Sequence, residues 1–435
     1  MKLSPTNFKP YSEYQETGIA WLGKIPSGWE YYRNKYLFQI KKEIVGKKSS
    51  DFTLLSLTLR GVINRDMENP EGKFPSDFDT YQKVYIGDFI FCLFDVEETP
   101  RFVGLSKLNG MITGAYTVMS LKQLYIKEYF YYFYLNLDND KRLRSLYTGL
   151  RNTIQKESFL SFKTFVPPIA EQKAIADFLD SKTEKIDRAI EQKTKLIALL
   201  KERKQILIQN AVTKGVPPRK GRKMKDSCVE WIGEIPEEWD VKRLKYVATI
   251  NSRNLPENFD KDAEIQYVDI GSVSFEKGVE NTELYKFKES PSRARRLSKK
   301  GDSIISTVRT YLKAIDFIND VKENFVFSTG FAILSPIDGI FAKYLFHVVR
   351  SNLFTDRVMQ LSKGMSYPAI NASELGGICL PLPTFEEQQE IVDYIEFEIS
   401  KIDQALQLQE RQIEKLKEYK SVLVDSAVTG KIQVV

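Results

Sequence analysis

One stretch occurs twice in this chain, and that repetition constrains the fold more than any other feature. Residues 167–215 run from Pro167-Pro168-Ile169-Ala170-Glu171-Gln172 through helix-forming sequence to Ala211-Val212-Thr213-Lys214-Gly215. Residues 381–431 repeat the plan, from Pro383 through Glu387-Gln388 to Ala427-Val428-Thr429-Gly430-Lys431, and Glu171 and Glu387 lie 216 positions apart. In the first copy Ile175, Leu179, Ile186, Ile190, Ile197, Leu200, Leu207 and Ala211 fall at steps of three, four and seven, which is one stripe of a helix. The same shift lands on Ile391, Ile395, Ile402, Leu406, Ile413, Leu416, Leu423 and Ala427, apolar throughout. Identities off the stripe (Asp177 and Asp393, Lys185 and Lys401, Asp187 and Asp403, Lys201 and Lys417, Glu202 and Glu418) argue for duplication rather than for two unrelated amphipathic helices. Each run starts after proline and stops at Gly215 or Gly430, a helix start and a C-cap. About 42 residues at ~1.5 Å each make a rod of roughly 63 Å, too long to bury its stripe against one small domain. Two matched stripes bury each other most simply as a long coiled-coil-like pair. A pseudo-two-fold relation between the halves makes that pair antiparallel.

The globular parts repeat as well. Trp21-Leu22-Gly23-Lys24-Ile25-Pro26-Ser27-Gly28-Trp29 returns as Trp231-Ile232-Gly233-Glu234-Ile235-Pro236-Glu237-Glu238-Trp239, offset by 210. Short strands are predicted for Phe52 to Leu59, Lys83 to Ile86, Asp88 to Phe94 and Thr113 to Leu121, punctuated by Gly61, Gly72, Gly87 and Gly110. Gly87-Asp88 before an apolar run corresponds to Gly301-Asp302, and Thr113-Gly114 to Thr329-Gly330; the Gly-Asp pairs predict a turn leading into a strand. Aromatic-rich helices follow at Glu128 to Leu137 and Phe341 to Phe354, read as core-packing segments; the single histidine, His347, reads there as a buried imidazole rather than a ligand or base. Between the halves the basic, Pro- and Gly-rich segment 214–225 reads as a solvated linker. Scaffold is what the two copies share. The loops differ, and loops on a rigid scaffold are where binding residues concentrate, so the two halves should recognise different things.

A length of 435 residues and a hydrophobic fraction of 42% predict a folded chain of two to four domains. No apolar run approaches the ~18 residues of a membrane span, and Met1-Lys2-Leu3-Ser4-Pro5 lacks a signal-peptide core, so a cytoplasmic protein is expected. Cys92, Cys228 and Cys379 are too scattered for a disulfide framework or a Cys-x-x-Cys metal site. The formal charge of +6 leans toward an anionic partner, although excesses of that size also occur in proteins that bind nothing acidic.

Two variable segments, each introduced by a Trp-x-Gly-x-Ile-Pro-x-x-Trp lead and closed by a Pro-x-x-x-Glu-Gln helix ending in Ala-Val-Thr, resemble the DNA-specificity (S) subunit of Type I restriction-modification enzymes. The resemblance spans nearly the whole chain. It implies an α+β fold in which two pseudo-symmetric α/β target-recognition domains are joined by two long antiparallel helices. The expected division is 1–166 for the first target-recognition domain, 167–214 for the first helix, 215–380 for the linker and second domain, and 381–435 for the second helix. It further implies that each domain reads one half of a bipartite double-stranded DNA target, and that the helices set the gap and dock the modification (methyltransferase) subunits. Half-sites one turn apart are ~34 Å from each other, an order of spacing that a ~63 Å rod can hold.

Arginine forks suit guanine edges and phosphates, and hydroxyls and amides suit either. On that chemistry the candidates in the first half are Arg60, Arg65, Arg101, Arg151 and Asn152. In the second half they are Arg293, Arg295, Arg296, Thr307, Arg309, Tyr311 and Lys313, with Lys363 before and Tyr367 within the loop Gly364-Met365-Ser366-Tyr367-Pro368. No Asn-Pro-Pro-aromatic methyl-transfer motif and no Gly-x-x-x-x-Gly-Lys-Ser/Thr loop occurs; Asn69-Pro70-Glu71 stops short, and Glu71-Gly72-Lys73 lacks the Pro-Asp of a nuclease motif. The chain is therefore expected to have no catalytic residues, metal or cofactor of its own. By the resemblance, S-adenosylmethionine and methyl transfer belong to the modification subunits, and ATP and cleavage to a restriction subunit that joins through the complex. Two other readings stay open on the residues alone: a stand-alone tandem DNA-binding regulator, and a coiled-coil adaptor whose globular ends bind proteins.

Overall fold

The computed structural model describes residues 8–19, 23–66, 77–217, 221–320 and 324–434. Met1 to Pro5, Trp21 and Leu22 of the first lead, the stretch Asn69-Pro70-Glu71-Gly72-Lys73, and 218–220 of the linker lie outside the described residues. The chain forms two compact units. Unit 1 comprises Met1–Lys193 with Glu410–Val435, and unit 2 comprises Thr194–Gln409, so each long helix contributes to both.

Both repeats are single helices, Ile169–Lys214 and Phe385–Val428. They stop where expected, at Gly215 (φ +80°) and Gly430 (φ +71°). A Cβ on Gly430 would sit 2.3 Å from Cδ of Pro26, so that cap needs glycine for room as well as for its left-handed backbone. Within unit 1 the helices run antiparallel: Asp187 pairs with Lys420 at 2.7 Å, while Lys193, further along, bonds Gln412. Within unit 2 Lys204 pairs with Asp403 at 2.7 Å, and the Gly215 end lies against Glu387. The ends of the stripe are buried, including Ile175, Leu179, Ala211, Ile391, Ile395, Leu423 and Ala427. Its middle, Ile190, Ile197, Leu200, Leu406, Ile413 and Leu416, is half-buried.

The Glu-Gln pair at each helix start has a physical explanation. Gln172 donates through Nε2 to the Pro167 carbonyl (2.7 Å) and accepts through Oε1 from the Ile126 N–H (3.1 Å). Gln388 likewise donates to the Pro383 carbonyl (3.1 Å) and accepts from the Phe341 N–H (2.7 Å). Ile126 and Phe341 immediately precede the helices Lys127–Asn139 and Ala342–Arg350. One buried amide thus satisfies a backbone donor at the start of a second helix, where intrahelical partners are lacking. The preceding glutamates hold the leads: Glu171 accepts from the Tyr11 hydroxyl, and Glu387 from Arg222 and from Nε1 of the fully buried Trp239 (2.8 Å).

Each unit is built on an antiparallel four-stranded sheet of the same order. In unit 1 the strands are Phe38–Ile40, Thr117–Leu121, Phe89–Phe91 and Val103–Leu105; in unit 2 they are Ala248–Ile250, Phe331–Pro336, Ser303–Ser306 and Ile315–Phe317. The Gly-Asp turns lead into the third strand of each, as expected. Asp88 accepts from the Tyr85 N–H (2.9 Å) and pairs with Lys41 (2.8 Å); Asp302 accepts from the Lys299 N–H (2.7 Å) and from Arg253 (3.3 Å). A further pairing closes each unit beside its long helix, Glu30–Arg33 with Lys163–Val166 and Asp240–Arg243 with Cys379–Leu382. Unit 2 adds a second four-stranded sheet, Glu283–Lys286, Glu264–Val268, Phe325–Ser328 and Ala294–Arg296.

Several expectations change in detail: the strand expected over Phe52 to Leu59 is Leu55–Thr58, and the one expected over Lys83 to Ile86 is Gln82–Val84. The strand expected over Thr113 to Leu121 is Thr117–Leu121, because Thr113 to Tyr116 form a turn closed by the Tyr116 N–H on the Thr113 carbonyl (3.2 Å). The helix expected over Phe341 to Phe354 is two, Ala342–Arg350 and Asn352–Leu361. Ser351 is extended between them and its Oγ accepts from the Phe354 N–H, so a serine inside the apolar pattern acts as an N-cap. The basic linker is not wholly solvated either. Arg222 is 9% exposed and binds Glu387, because a buried carboxylate at the helix start needs a cation.

Candidate nucleic-acid interface

In unit 2 the chain leaves the buried strand Ser303–Ser306 into a short, strongly held loop. Thr307 donates through both its N–H (2.8 Å) and its Oγ1 (2.9 Å) to the Gly330 carbonyl, and its own carbonyl accepts from the Ile370 N–H (2.9 Å). Lys363 and Ala369 exchange two backbone hydrogen bonds of 2.9 Å, and Val308 bridges to Ala369, so residues 364–368 project as a tight loop beside 307–313. Thr310 is buried, with its Oγ1 2.9 Å from Ser362 Oγ. Arg309 and Lys313, on either side of the single turn Thr310–Leu312, are left-handed (φ +52° and +48°), a conformation that costs a non-glycine residue ~1–2 kcal/mol. Non-glycine strain of this kind clusters at functional sites.

Six of the nine second-half candidates meet here. The Arg309 guanidinium lies 5.1 Å from the Tyr367 ring centroid, and Tyr311 and Tyr367 are exposed. Lys313 pairs with Asp356 (3.0 Å) and Lys363 with Glu374 (2.8 Å), while Met365 at the tip is fully exposed. Arg293, Arg295 and Arg296 belong instead to the edge of the second sheet. Arg293 is exposed, and its carbonyl accepts from Thr329, the neighbour of Gly330. Arg295 lies over the Phe287 ring (5.0 Å), and half-buried Arg296 donates to Asn254 Oδ1 (2.8 Å), its pKa lowered by burial.

Unit 1 repeats the frame with other side chains. The Leu93 carbonyl accepts from the Ile154 N–H (2.8 Å), matching Thr307 and Ile370 at shifts of 214 and 216. Asp95, 214 positions before Arg309, is also left-handed (φ +46°). Its N–H donates to the Arg151 carbonyl (2.9 Å), and Arg151 stands 216 positions before Tyr367. The hairpin Tyr147–Thr148 with Thr153–Ile154 presents fully exposed Leu150 and exposed Arg151. Asn152 is left-handed and donates through Nδ2 to Glu98 (3.2 Å). Glu97 pairs with Arg144, which holds its carboxyl below the usual range.

The other first-half candidates lie elsewhere. Arg101 binds the buried carboxylate of Asp138 (3.3 Å) and Asn139 (3.1 Å), a structural ion pair beside the loop. Arg60 is exposed at the turn between Leu55–Thr58 and Gly61–Asn64, and half-buried Arg65 follows the second of these strands. Residue type alone missed Asp95 and the apolar tips Leu150 and Met365. The repeat register could have found Asp95, because it aligns with Arg309 once Asp88 is set against Asp302.

Over residues 109–201 and 236–418, more than half of its length, the sequence matches the Type I restriction modification DNA specificity domain. The chain belongs to that family. It is 25% identical over 337 residues to the Type I restriction enzyme MjaVIII specificity subunit of Methanocaldococcus jannaschii, covering 75% of each chain. A chain solved in work on complex assembly and conformational transition of the type I R-M system superposes with a TM-score of 0.65 at 18% identity, over 93% of this chain and 98% of that one. The HsdS subunit from Thermoanaerobacter tengcongensis gives 0.51 at 17% identity, over 94% and 98%. These superpositions establish the α+β fold of the specificity family. No helix among the described residues is long and apolar enough to cross a membrane.

Proposed function

We propose that this chain is the non-catalytic DNA-specificity subunit of a Type I restriction-modification complex. Residues 1–166 and 215–380 serve as two target-recognition domains, each reading one half of a split double-stranded site. The helical segments 167–214 and 381–435 set the gap and dock the modification subunits, and restriction subunits join through the complex. The observation that carries this reading is a strained, hydrogen-bonded loop arrangement occurring twice with different side chains: exposed Arg309, Tyr311 and Tyr367 in one copy, and half-buried Asp95 with exposed Leu150 and Arg151 in the other. Similar frames with unlike side chains suit two unlike half-sequences, since base identity is read by side chains at groove edges while the frame sets their position.

The test is native mass measurement of the chain mixed with a cognate modification subunit, followed by sequencing-based mapping of methylated adenines. One copy of this chain with modification subunits, methylating a split motif, is the expected result. Tight sequence-specific DNA binding by the chain alone, without association, would overturn it in favour of a regulator.

A further inference from the structure

Because the loop frame is repeated, positions can be compared across the two units, and one pair of positions changes chemistry. In unit 2 the left-handed residue is Arg309 and its neighbour across the loop is Tyr367; in unit 1 the same places hold Asp95 and Arg151. We propose that this pair is one reading station: Arg309 takes the O6/N7 edge of a guanine in the half-site read by unit 2, and Asp95 takes the N4 amino group of a cytosine in the other half. The proposal rests on the DNA-specificity reading and adds the base class at one position of each half.

Arg309 is singled out from the other cations by three observations. Arg101, Arg142, Arg144, Arg222 and Arg253 are engaged with carboxylates, whereas Arg309 has no carboxylate partner among the described residues. Its guanidinium lies over the exposed Tyr367 ring, which orients the planar fork and lowers the entropy lost when it docks. Its backbone sits at a strained position beside a buried threonine, so the root of the side chain cannot drift. A preorganised planar fork with five donors matches the two acceptors of guanine better than it matches any other base edge.

Asp95 at the equivalent place argues for the opposite edge. A carboxylate near phosphates is repelled unless it meets a donor, and cytosine offers the amino group that acidic side chains accept from in the major groove. Its carboxylate accepts no side-chain hydrogen bond among the described residues, while Glu97 and Glu98 beside it are engaged by Arg144 and Asn152. Exposed Arg151 at the partner position supplies a compensating positive charge.

The experiment maps the methylated motif for the complex with modification subunits, carrying the wild-type chain, Arg309→Asn, Arg309→Lys or Asp95→Asn. Asparagine tolerates the left-handed backbone and lysine, like arginine, is unbranched at Cβ, so these variants keep the loop. Both Arg309 variants should relax one guanine position of one half-site, with discrimination falling roughly 10- to 100-fold, and leave the other half and the gap unchanged. Asp95→Asn should relax one cytosine in the other half. Retention of the untouched half reports an intact fold. Methylation reduced evenly over all sites with an unaltered motif, rescued by Arg309→Lys, would mark a phosphate contact and overturn the proposal. Relaxation at an A·T pair, or both variants acting on the same half, would overturn it equally. A wild-type complex that methylates no split motif would instead sink the underlying specificity-subunit reading.

Discussion

Removing the Glu387 carboxylate should loosen unit 2 at the point where lead, linker and long helix meet. Glu387 accepts from Nη1 (2.6 Å) and Nη2 (3.0 Å) of Arg222 and from Nε1 of Trp239 (2.8 Å). The ion-pair side chains are 9% and 8% exposed, so water cannot replace the lost partner. Glu387→Ala leaves a buried guanidinium and an indole N–H without their acceptor. Breaking one side of a buried pair costs about 3–5 kcal/mol, and an orphaned buried donor about 1–3 kcal/mol. Arg222 keeps its contact with Glu238 (2.7 Å), which is 53% exposed, so the expected total is at the low end, ~3 kcal/mol. In unit 1 Glu171 receives the Tyr11 hydroxyl, and Trp29 Nε1 has no partner among the described residues. Glu171→Ala should therefore cost only ~1 kcal/mol. Native-state amide exchange resolves the two units, which a single global transition would not. Protection in the 208–214 segment should fall by ~3 kcal/mol in Glu387→Ala while the 172–179 segment holds, and adding Arg222→Ala should cost less than its separate effect. A loss below ~1 kcal/mol, or additivity of the two substitutions, would refute the reasoning.

Two further predictions concern the core and the helices. His347 is buried with neither ring nitrogen hydrogen-bonded among the described residues, and burial, with Arg350, Lys343 and Lys204 nearby, pushes its pKa down to about 3. The unfolded chain then binds the extra proton, so this contribution is complete above about pH 6.5 and is lost as pH falls toward 3, at up to ~1.4 kcal/mol per unit. Urea midpoints of wild type and His347→Phe at pH 7.5 and 5.0 should diverge in the acid; parallel pH dependence would refute the assignment. Inserting seven helix-forming residues after Leu200 and seven after Leu406 preserves the phase of both stripes and lengthens each rod by ~10.5 Å, roughly three base pairs. Methylation mapping should show a gap widened by about that amount with both half-sequences intact; an altered half-sequence would count against the helices as spacer.

Much of the frame could be read in the sequence because it rests on period and repetition. The stripe from Ile175 to Ala211, its copy from Ile391 to Ala427, the glycine caps and the Gly-Asp turns all follow from local rules that duplication made visible twice. What the Glu-Gln pair does was not legible, since Gln172 bonds Ile126 and Gln388 bonds Phe341 across 46 and 47 positions. The site was half legible. Residue type pointed to Arg309, Tyr311 and Tyr367, which do converge, but it also pointed to Arg101, whose guanidinium holds a buried aspartate. A surface arginine and an ion-paired one look alike until tertiary structure places a carboxylate beside one of them. Asp95 was passed over because an acidic residue is a poor guess for a polyanion's surface; what recommends it is its equivalence to Arg309 in register and backbone.

The left-handed residues carry one last consequence, because stability and specificity pull in opposite directions there. Arg309 at φ +52° bears ~1–2 kcal/mol of strain that glycine would not. Against this, glycine adds roughly 0.5–1 kcal/mol of unfolded-state entropy, and the exposed guanidinium–Tyr367 contact it would lose is worth about 0.5–1 kcal/mol. These nearly cancel, so Arg309→Gly should unfold within ~0.5 kcal/mol of wild type. Arg309→Val has no such relief, since a β-branched side chain fits the left-handed region worst, and it should lose more than ~1 kcal/mol. A side chain retained for stability would instead leave the glycine variant clearly less stable than wild type. If Arg309→Gly matches wild type in denaturation yet loses motif discrimination in the assembled complex, the arginine is kept for what it touches outside the chain rather than for what it holds within it.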